Sequence, residues 1–320
     1  MTQITHRFIE TNSIHMHIAE QGTGPLVLLL HGFPELWYSW RHQFATLADA
    51  GYHVVAPDLR GYGETDRPAE SEHYTQLHLV GDVIGLMDVL GEETAIVAGH
   101  DWGATLTWNT ALLRPDRVRG VIALSVPYYP RGPVSRLTAA RSALGEGFYM
   151  NYFQKPGTAE AEFERDIRTT IRKFLYAFSG NIQQKAEEVL VVPEGQGMLD
   201  HIPDPGLLPA WLTEADITYY ATTLERTGFT GGFNWYRMID KSWELMAPWH
   251  NAIIIPSVLF IAGDRDPVVL LPSGRQQLAN MQRFVPNLKA TVLLPNSGHW
   301  IQQERAAEVG SAMIEFLQSL

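Results

Sequence analysis

Four stretches of this chain are apolar almost without interruption, and each ends in polar or turn residues. They are PLVLLLHG (25–32), YHVVAPDLRG (52–61), TAIVAGHD (94–101) and GVIALSVP (120–127). Continuous runs of this length are the signature of strands buried on both faces of a parallel sheet. Helical patterns between them predict helices over Trp40–Ala50, Thr75–Leu90 and Ala104–Leu113. Ahead of them, RFIETN and IHMHIAEQG alternate with period two, as the strands of an antiparallel pair do. After Pro130 the pattern changes. As far as about Ser242 the chain is aromatic-rich and helix-like, interrupted at KPGT, VVPEGQG, IPDPGLLP and GFTGGF. Two more strand patterns follow, PSVLFIAGDRD (256–266) and KATVLLPNSGHW (289–300), and then an amphipathic helix, RAAEVGSAMIEFLQSL. The prediction is an α/β fold: a mostly parallel eight-stranded sheet flanked by helices, built from residues 1–130 and 243–320. A mainly helical cap, 131–242, is inserted into it.

In such sheets ligands bind at the carboxyl ends of the strands. His31, Asp101, Asp266 and His299 all fall at those ends, so four separate runs aim polar groups at one edge.

Composition narrows the classes. The 24 basic and 35 acidic residues leave a net charge of -11, without the basic stripe that binding nucleic acid requires. The absence of cysteine excludes disulfides, thiolate zinc sites and a thiol nucleophile. His15, His17, His31 and His100 form no persuasive metal set, so no metal and no cofactor are expected. MTQITHRFIETN has no apolar signal region, and the longest apolar runs fall short of a membrane span or are broken by proline. A soluble, cytoplasmic protein without membrane insertion is expected, as a monomer or homodimer.

The chemistry begins at VAGHDWGAT. Gly99 and Gly103 bracket Asp101 at a strand-to-helix turn, the outline of a nucleophile elbow with aspartate in place of serine. An aspartate between glycines is also an ordinary helix cap. AGDRDPV then supplies Asp264 and Asp266 after one strand, and NSGHW supplies His299 after the next. Nucleophile, acid, histidine is the chain order of α/β-hydrolase triads, with either aspartate available to orient His299. In that fold the loop in LLLHGFPELWYSW lends a backbone N–H, from Phe33, to an oxyanion hole, and Trp102 lends the other. His6, His53 and His201 are read as satisfied core histidines, and Tyr128, Tyr129, Tyr219 and Tyr220 as packing residues.

HGFPELWYSWRHQ, PDLRGYGETDRP, GHDWGA, GDRDPV and SGHW together resemble the soluble epoxide hydrolases of the α/β-hydrolase superfamily, over nearly the whole chain. The resemblance implies a covalent ester on Asp101 and hydrolysis by water activated by His299. It favours Asp266 over Asp264 as the orienting acid. It also implies two cap tyrosines on the epoxide oxygen: Tyr236, in NWYR, and Tyr149, with Tyr152 one helical turn away as a competitor. The implied partners are a small apolar epoxide and water, with Trp37, Trp102, Phe153, Trp235 and Trp300 as substrate-facing rings. A haloalkane dehalogenase is the nearest alternative. Trp102 suits its halide site, but Phe33 stands where that family places asparagine. A non-catalytic ligand-binding homologue is a further alternative, disfavoured by the complete residue set.

Overall fold

The computed structural model describes residues 3–182 and 185–320. Its strands are β1 (Thr5–Thr11), β2 (Ile14–Gln21), β3 (Leu26–Leu30), β4 (His53–Pro57), β5 (Ala95–His100), β6 (Val118–Leu124), β7 (Ser257–Gly263) and β8 (Leu288–Leu294). They form one sheet in the order β1-β2-β4-β3-β5-β6-β7-β8. Only β2 runs against its neighbours β1 and β4; every other pairing is parallel. The eight stretches picked out by hydrophobic pattern are these eight strands.

Strand alternation explains why the central runs are apolar at every position. Val27, Leu29, Val54, Ala56, Ile96 and Ala98 pack on one face against Phe44 and Leu47, and against Val309, Met313 and Phe316 of helix Ala306–Gln318. The intervening Leu28, Leu30, Val55 and Val97 face the other way, toward Leu79, Val83 and Leu86 of helix Gln76–Leu90. Each such aliphatic side chain contributes about 1.5–3 kcal/mol on burial, so neither face tolerates a polar residue.

The expected Trp40–Ala50 helix is divided. A 3-10 turn, Trp37–Trp40, precedes an α-helix over Gln43–Asp49. The turn is tightened because Trp37 N–H is drawn 3.0 Å from Asp58 Oδ1 and the N–H groups of Ser39 and Arg41 bond three residues back. The helix expected from Ala104 begins at Trp102, directly after the turn at Asp101.

Between β6 and β7 lies a helical insertion. It includes helices Arg136–Leu144, Ile167–Ala177, Glu214–Thr227 and Thr230–Arg237, and helix Ile239–Leu245 runs across position 242. One seam joins it to the segment after β8. A Cβ on Gly298 would lie 2.3 Å from Gly180 N, so the two backbones are in direct contact. The half-buried Glu304 carboxylate accepts the N–H groups of Gly180 and Gly298, at 2.9 Å each. Among the described residues no helix is long and apolar enough to cross a membrane. No cluster of three or more His, Asp or Glu among them is placed to hold a metal ion.

Candidate active site

β5 delivers Asp101 at φ 53° and ψ -117°. A non-glycine residue held in such a conformation costs about 1–3 kcal/mol and persists only where its surroundings fix it. Here they do. A Cβ on Gly99 would meet Gly103 O at 2.1 Å, and one on Gly103 would meet Leu30 O at 2.0 Å. The helix therefore starts hard against β3 and β5. The carboxylate of Asp101 makes no helix cap. Its Oδ1 instead accepts the N–H of Phe33 at 2.9 Å, and its Oδ2 lies 3.4 Å from His299 Nε2. Trp102, the first helical residue, follows immediately, and the Phe33–Pro34 peptide is cis.

His299 Nδ1 lies 3.0 and 3.1 Å from the two oxygens of Asp266, whereas Asp264 is exposed. Asp266 is fully buried and also accepts Val268 N–H at 2.8 Å, which fixes its plane. The main chain of His299 is held at both ends: its N–H donates to Phe178 O of the insertion, and its carbonyl accepts Ser125 Oγ. Burial works against charging the imidazole, yet the carboxylates of Asp266 and Asp101 outweigh it and lift its pKa well above the ordinary value. Burial likewise opposes ionisation of Asp101, but His299, His100 and the Phe33 N–H hold its pKa below the usual carboxylate value. The two shifts act in the same sense, each favouring an ionic pairing of Asp101 with His299.

Two tyrosines of the insertion stand over this pair. The rings of Tyr149 and Tyr236 are 5.8 Å apart, edge to face, and Tyr236 meets Trp102 at 5.0 Å and Phe33 at 5.4 Å. Burial, with Asp101 adding to it, raises both phenols far above 10; Tyr149 also acts on Tyr236. Both therefore stay protonated. The hydroxyl of Tyr152 is engaged elsewhere, donating to Glu162 at 2.7 Å.

The chain matches the model of the α/β-hydrolase fold over residues 25–306. It is 46% identical over 320 residues to epoxide hydrolase 3 of Siraitia grosvenorii, covering 99% of both chains. It is 44% identical to epoxide hydrolase A of Mycobacterium tuberculosis, covering 99% of this chain and 98% of that one. The crystal structure of epoxide hydrolase A from Mycobacterium thermoresistibile superposes with a TM-score of 0.93 at 43% identity, covering 99% and 98% of the two chains. This chain belongs to the epoxide hydrolases of the α/β-hydrolase fold.

Behind Asp101, Asp266 and His299 in this epoxide hydrolase family member lies a network the sequence did not reveal. Glu35 is fully buried and accepts four donors. They are Gly32 N–H at 3.0 Å, His100 Nδ1 at 2.7 Å, Gln302 Nε2 at 2.9 Å and Gln303 Nε2 at 3.1 Å. His100 Nε2 lies 2.7 Å from the carbonyl of His299. Glu35 thereby ties the loop that presents Phe33 N–H to the segment that presents His299. The one available signal was a glutamate three residues after the HG pair.

The aromatic rings expected to face substrate divide into four groups. Trp102 and Trp235 line an open cleft together with Trp108, Tyr128, Tyr129, Met150 and Trp243. Phe153 is fully buried among Phe33, Tyr149, Phe233 and Tyr236. Trp300 backs His299, its indole committed to Leu175 O at 2.7 Å. Trp37 departs from expectation. Its indole donates to Tyr219 Oη, and it lines a separate cleft with His6, His17 and Asp58. Its backbone N–H is anchored there by Asp58 Oδ1 at 3.0 Å. His6 and His53 are not core histidines either. His6 is exposed and bonds His17, and His53 pairs with Glu20 at the hairpin.

Proposed function

We propose that this protein hydrolyses apolar epoxides to vicinal diols in two covalent steps. One observation carries the reading: an Asp101 carboxylate, gripped by Phe33 N–H and His299, lies within the field of two buried, protonated tyrosines. A carboxylate displaces a leaving group at saturated carbon, and a strained C–O bond is one that such a nucleophile opens. The insertion, 131–242, acts as the cap that supplies the acids.

In the first step an oxygen of Asp101 attacks an epoxide carbon, the ring C–O bond breaks, and Tyr149 and Tyr236 donate to the emerging alkoxide. Esterification removes the negative charge of Asp101. That charge helped to raise both phenols, so they become stronger acids as the alkoxide forms. His299 responds in the same direction. It loses one of the two carboxylates that held its proton, and Asp266 remains to orient it.

The imidazolium proton of His299 restores the proton that the tyrosines gave to the alkoxide, and in the second step the neutral His299 takes a proton from water, which attacks the ester carbonyl of Asp101. Phe33 N–H, already 2.9 Å from Oδ1, and Trp102 N–H receive the oxyanion. Collapse releases the diol and restores the carboxylate. The cleft lined by Trp102, Trp235 and Trp108 suits an apolar substituent on the epoxide.

The test is a pair of incubations, with an aryl epoxide and with a bromoalkane, followed by assays for diol and halide. Diol without halide is expected. Halide without diol would establish a dehalogenase, and neither product would mark a ligand-binding homologue. A single turnover in heavy-oxygen water tests the route: label enters the Asp101 carboxylate before it enters diol.

A further inference from the structure

A continuous chain of polar contacts runs from the insertion to the main chain of His299. Asp216, in helix Glu214–Thr227, accepts Tyr38 Oη at 3.0 Å and forms an ion pair with Arg41 Nη2, also at 3.0 Å. Arg41 Nη1 donates to Gln303 Oε1 at 2.6 Å, and Gln303 Nε2 donates to Glu35 Oε1 at 3.1 Å. Glu35 then holds His100, and His100 holds the carbonyl of His299. Gln303 is only 3% exposed, and the side chains of Arg41 and Asp216 are 11% and 7% exposed, so water competes little for these bonds.

The orientation of the Gln303 amide is decisive. Its oxygen faces a guanidinium and its nitrogen a carboxylate, so its two neighbours fix the same rotamer. Without Arg41 the oxygen is a buried acceptor with no partner, and nothing holds the nitrogen toward Glu35. Glu35 would then lose one of its four donors. It is the group that ties Gly32, beside Phe33, to His100 and His299. The separation of the Phe33 N–H from His299 is set through that tie, and the attack of water on the ester uses both. Formation of the ester relies on Asp101 and the tyrosines instead.

We propose that Arg41 and Gln303 are positioning residues for the water-activating step, and that the ion pair of Arg41 with Asp216 makes the seat of the insertion part of the same device. This rests on the two-step reading above. A contiguous network is not itself proof of coupling, so the test must separate positioning from mere folding.

Wild type, Gln303→Met, Arg41→Lys, Asp216→Asn and the Gln303→Met/Asp216→Asn double variant are mixed rapidly with an aryl epoxide. Trp102, beside the nucleophile, reports formation and decay of the ester by fluorescence, and mass spectrometry of quenched protein verifies it. Gln303→Met keeps the volume and loses both amide bonds. It is expected to slow ester decay about tenfold, a fraction of what a 1 Å misplacement costs, and to leave formation within about threefold. In the steady state kcat and KM then fall together while kcat/KM holds. Arg41→Lys keeps the charge against Asp216 but lacks the second arm, and falls in between; it also serves if Gln303→Met does not fold. The double variant is expected to be no slower than Gln303→Met alone. Equal slowing of both phases, or unchanged decay in the folded variants, would overturn the positioning role, and additive losses would remove Asp216 from it. If wild type forms no ester, the two-step reading fails instead, which is a distinguishable result.

Discussion

Gly32 offers a direct test of how tightly Asp101 is placed. A Cβ built on it would lie 2.4 Å from Asp101 Cβ and 2.5 Å from Oδ1, against an ordinary contact of at least 3.4 Å. Gly32→Ala therefore requires a separation of about 3.4 - 2.4 = 1.0 Å between the oxyanion loop and the elbow. The elbow is itself pinned by Gly99 and Gly103, so the loop must give way, and it carries Phe33 N–H with it. A misplacement of about 1 Å costs on the order of 10²-fold in rate. Loss of a single oxyanion donor costs about 10²–10³-fold. A fall in kcat of about 10²-fold is expected, equivalent to about 2.7 kcal/mol at 1.36 kcal/mol per tenfold. Crowding of this kind also destabilises by about 1–3 kcal/mol. The assay is steady-state diol formation from an aryl epoxide, with thermal unfolding measured alongside. A folded Gly32→Ala enzyme with kcat within threefold of wild type would refute the reasoning, because it would mean that the site relaxes around an intrusion of 1 Å.

Other expectations follow from the same geometry. Tyr236→Phe and Tyr149→Phe should each lower the rate of ester formation by about 10²-fold or more. Tyr152→Phe should change it less than threefold, since that hydroxyl serves Glu162; equal losses at 149 and 152 would remove the distinction. Asp266→Asn should slow ester hydrolysis by orders of magnitude, whereas Asp264→Asn should leave it intact, as single-turnover decay would reveal. The ionic pair also shapes stability. The raised pKa of His299 stabilises the fold fully below its unfolded value near 6.5, and that contribution is lost as pH rises through the folded value. The lowered pKa of Asp101 acts oppositely: its contribution is present above about 3.8 and is lost as pH falls through the folded value. Asp101→Asn takes one carboxylate from His299, so its alkaline loss of stability should begin at lower pH than in wild type. Melting curves across pH would show whether it does.

The central strands were legible because both faces of the sheet are buried there, which leaves no polar position to confuse the pattern. Asp101, Asp266 and His299 were legible for a related reason: each follows a strand, and strand ends converge. Spacing separated Tyr149 from Tyr152 poorly, because residues three apart share a helix face and only their partners tell them apart. Glu35 and His100 were invisible as a unit. Their contacts join residues 65 and 199 positions apart, and a buried carboxylate looks in sequence like any surface one. Trp37 illustrates the opposite error. Aromatic character forecasts burial, but the direction of a ring is set by tertiary anchors such as Asp58, which no local pattern announces.

The contact of Gly180 with Gly298 bears on how such proteins diversify. An insertion between two strands looks like an interchangeable module, a lid to be exchanged for another to obtain a new specificity. Here the two pieces meet backbone against backbone, with no side chain between them to absorb a mismatch, and a single carboxylate from Glu304 clasps both. Grafting a foreign lid onto this sheet would thus have to reproduce the gauge of that joint, or the graft would pry open the turn that bears His299. Diversification is freer along the walls of the aromatic cleft, where side chains rather than main chains are in contact, than by wholesale exchange of the insertion.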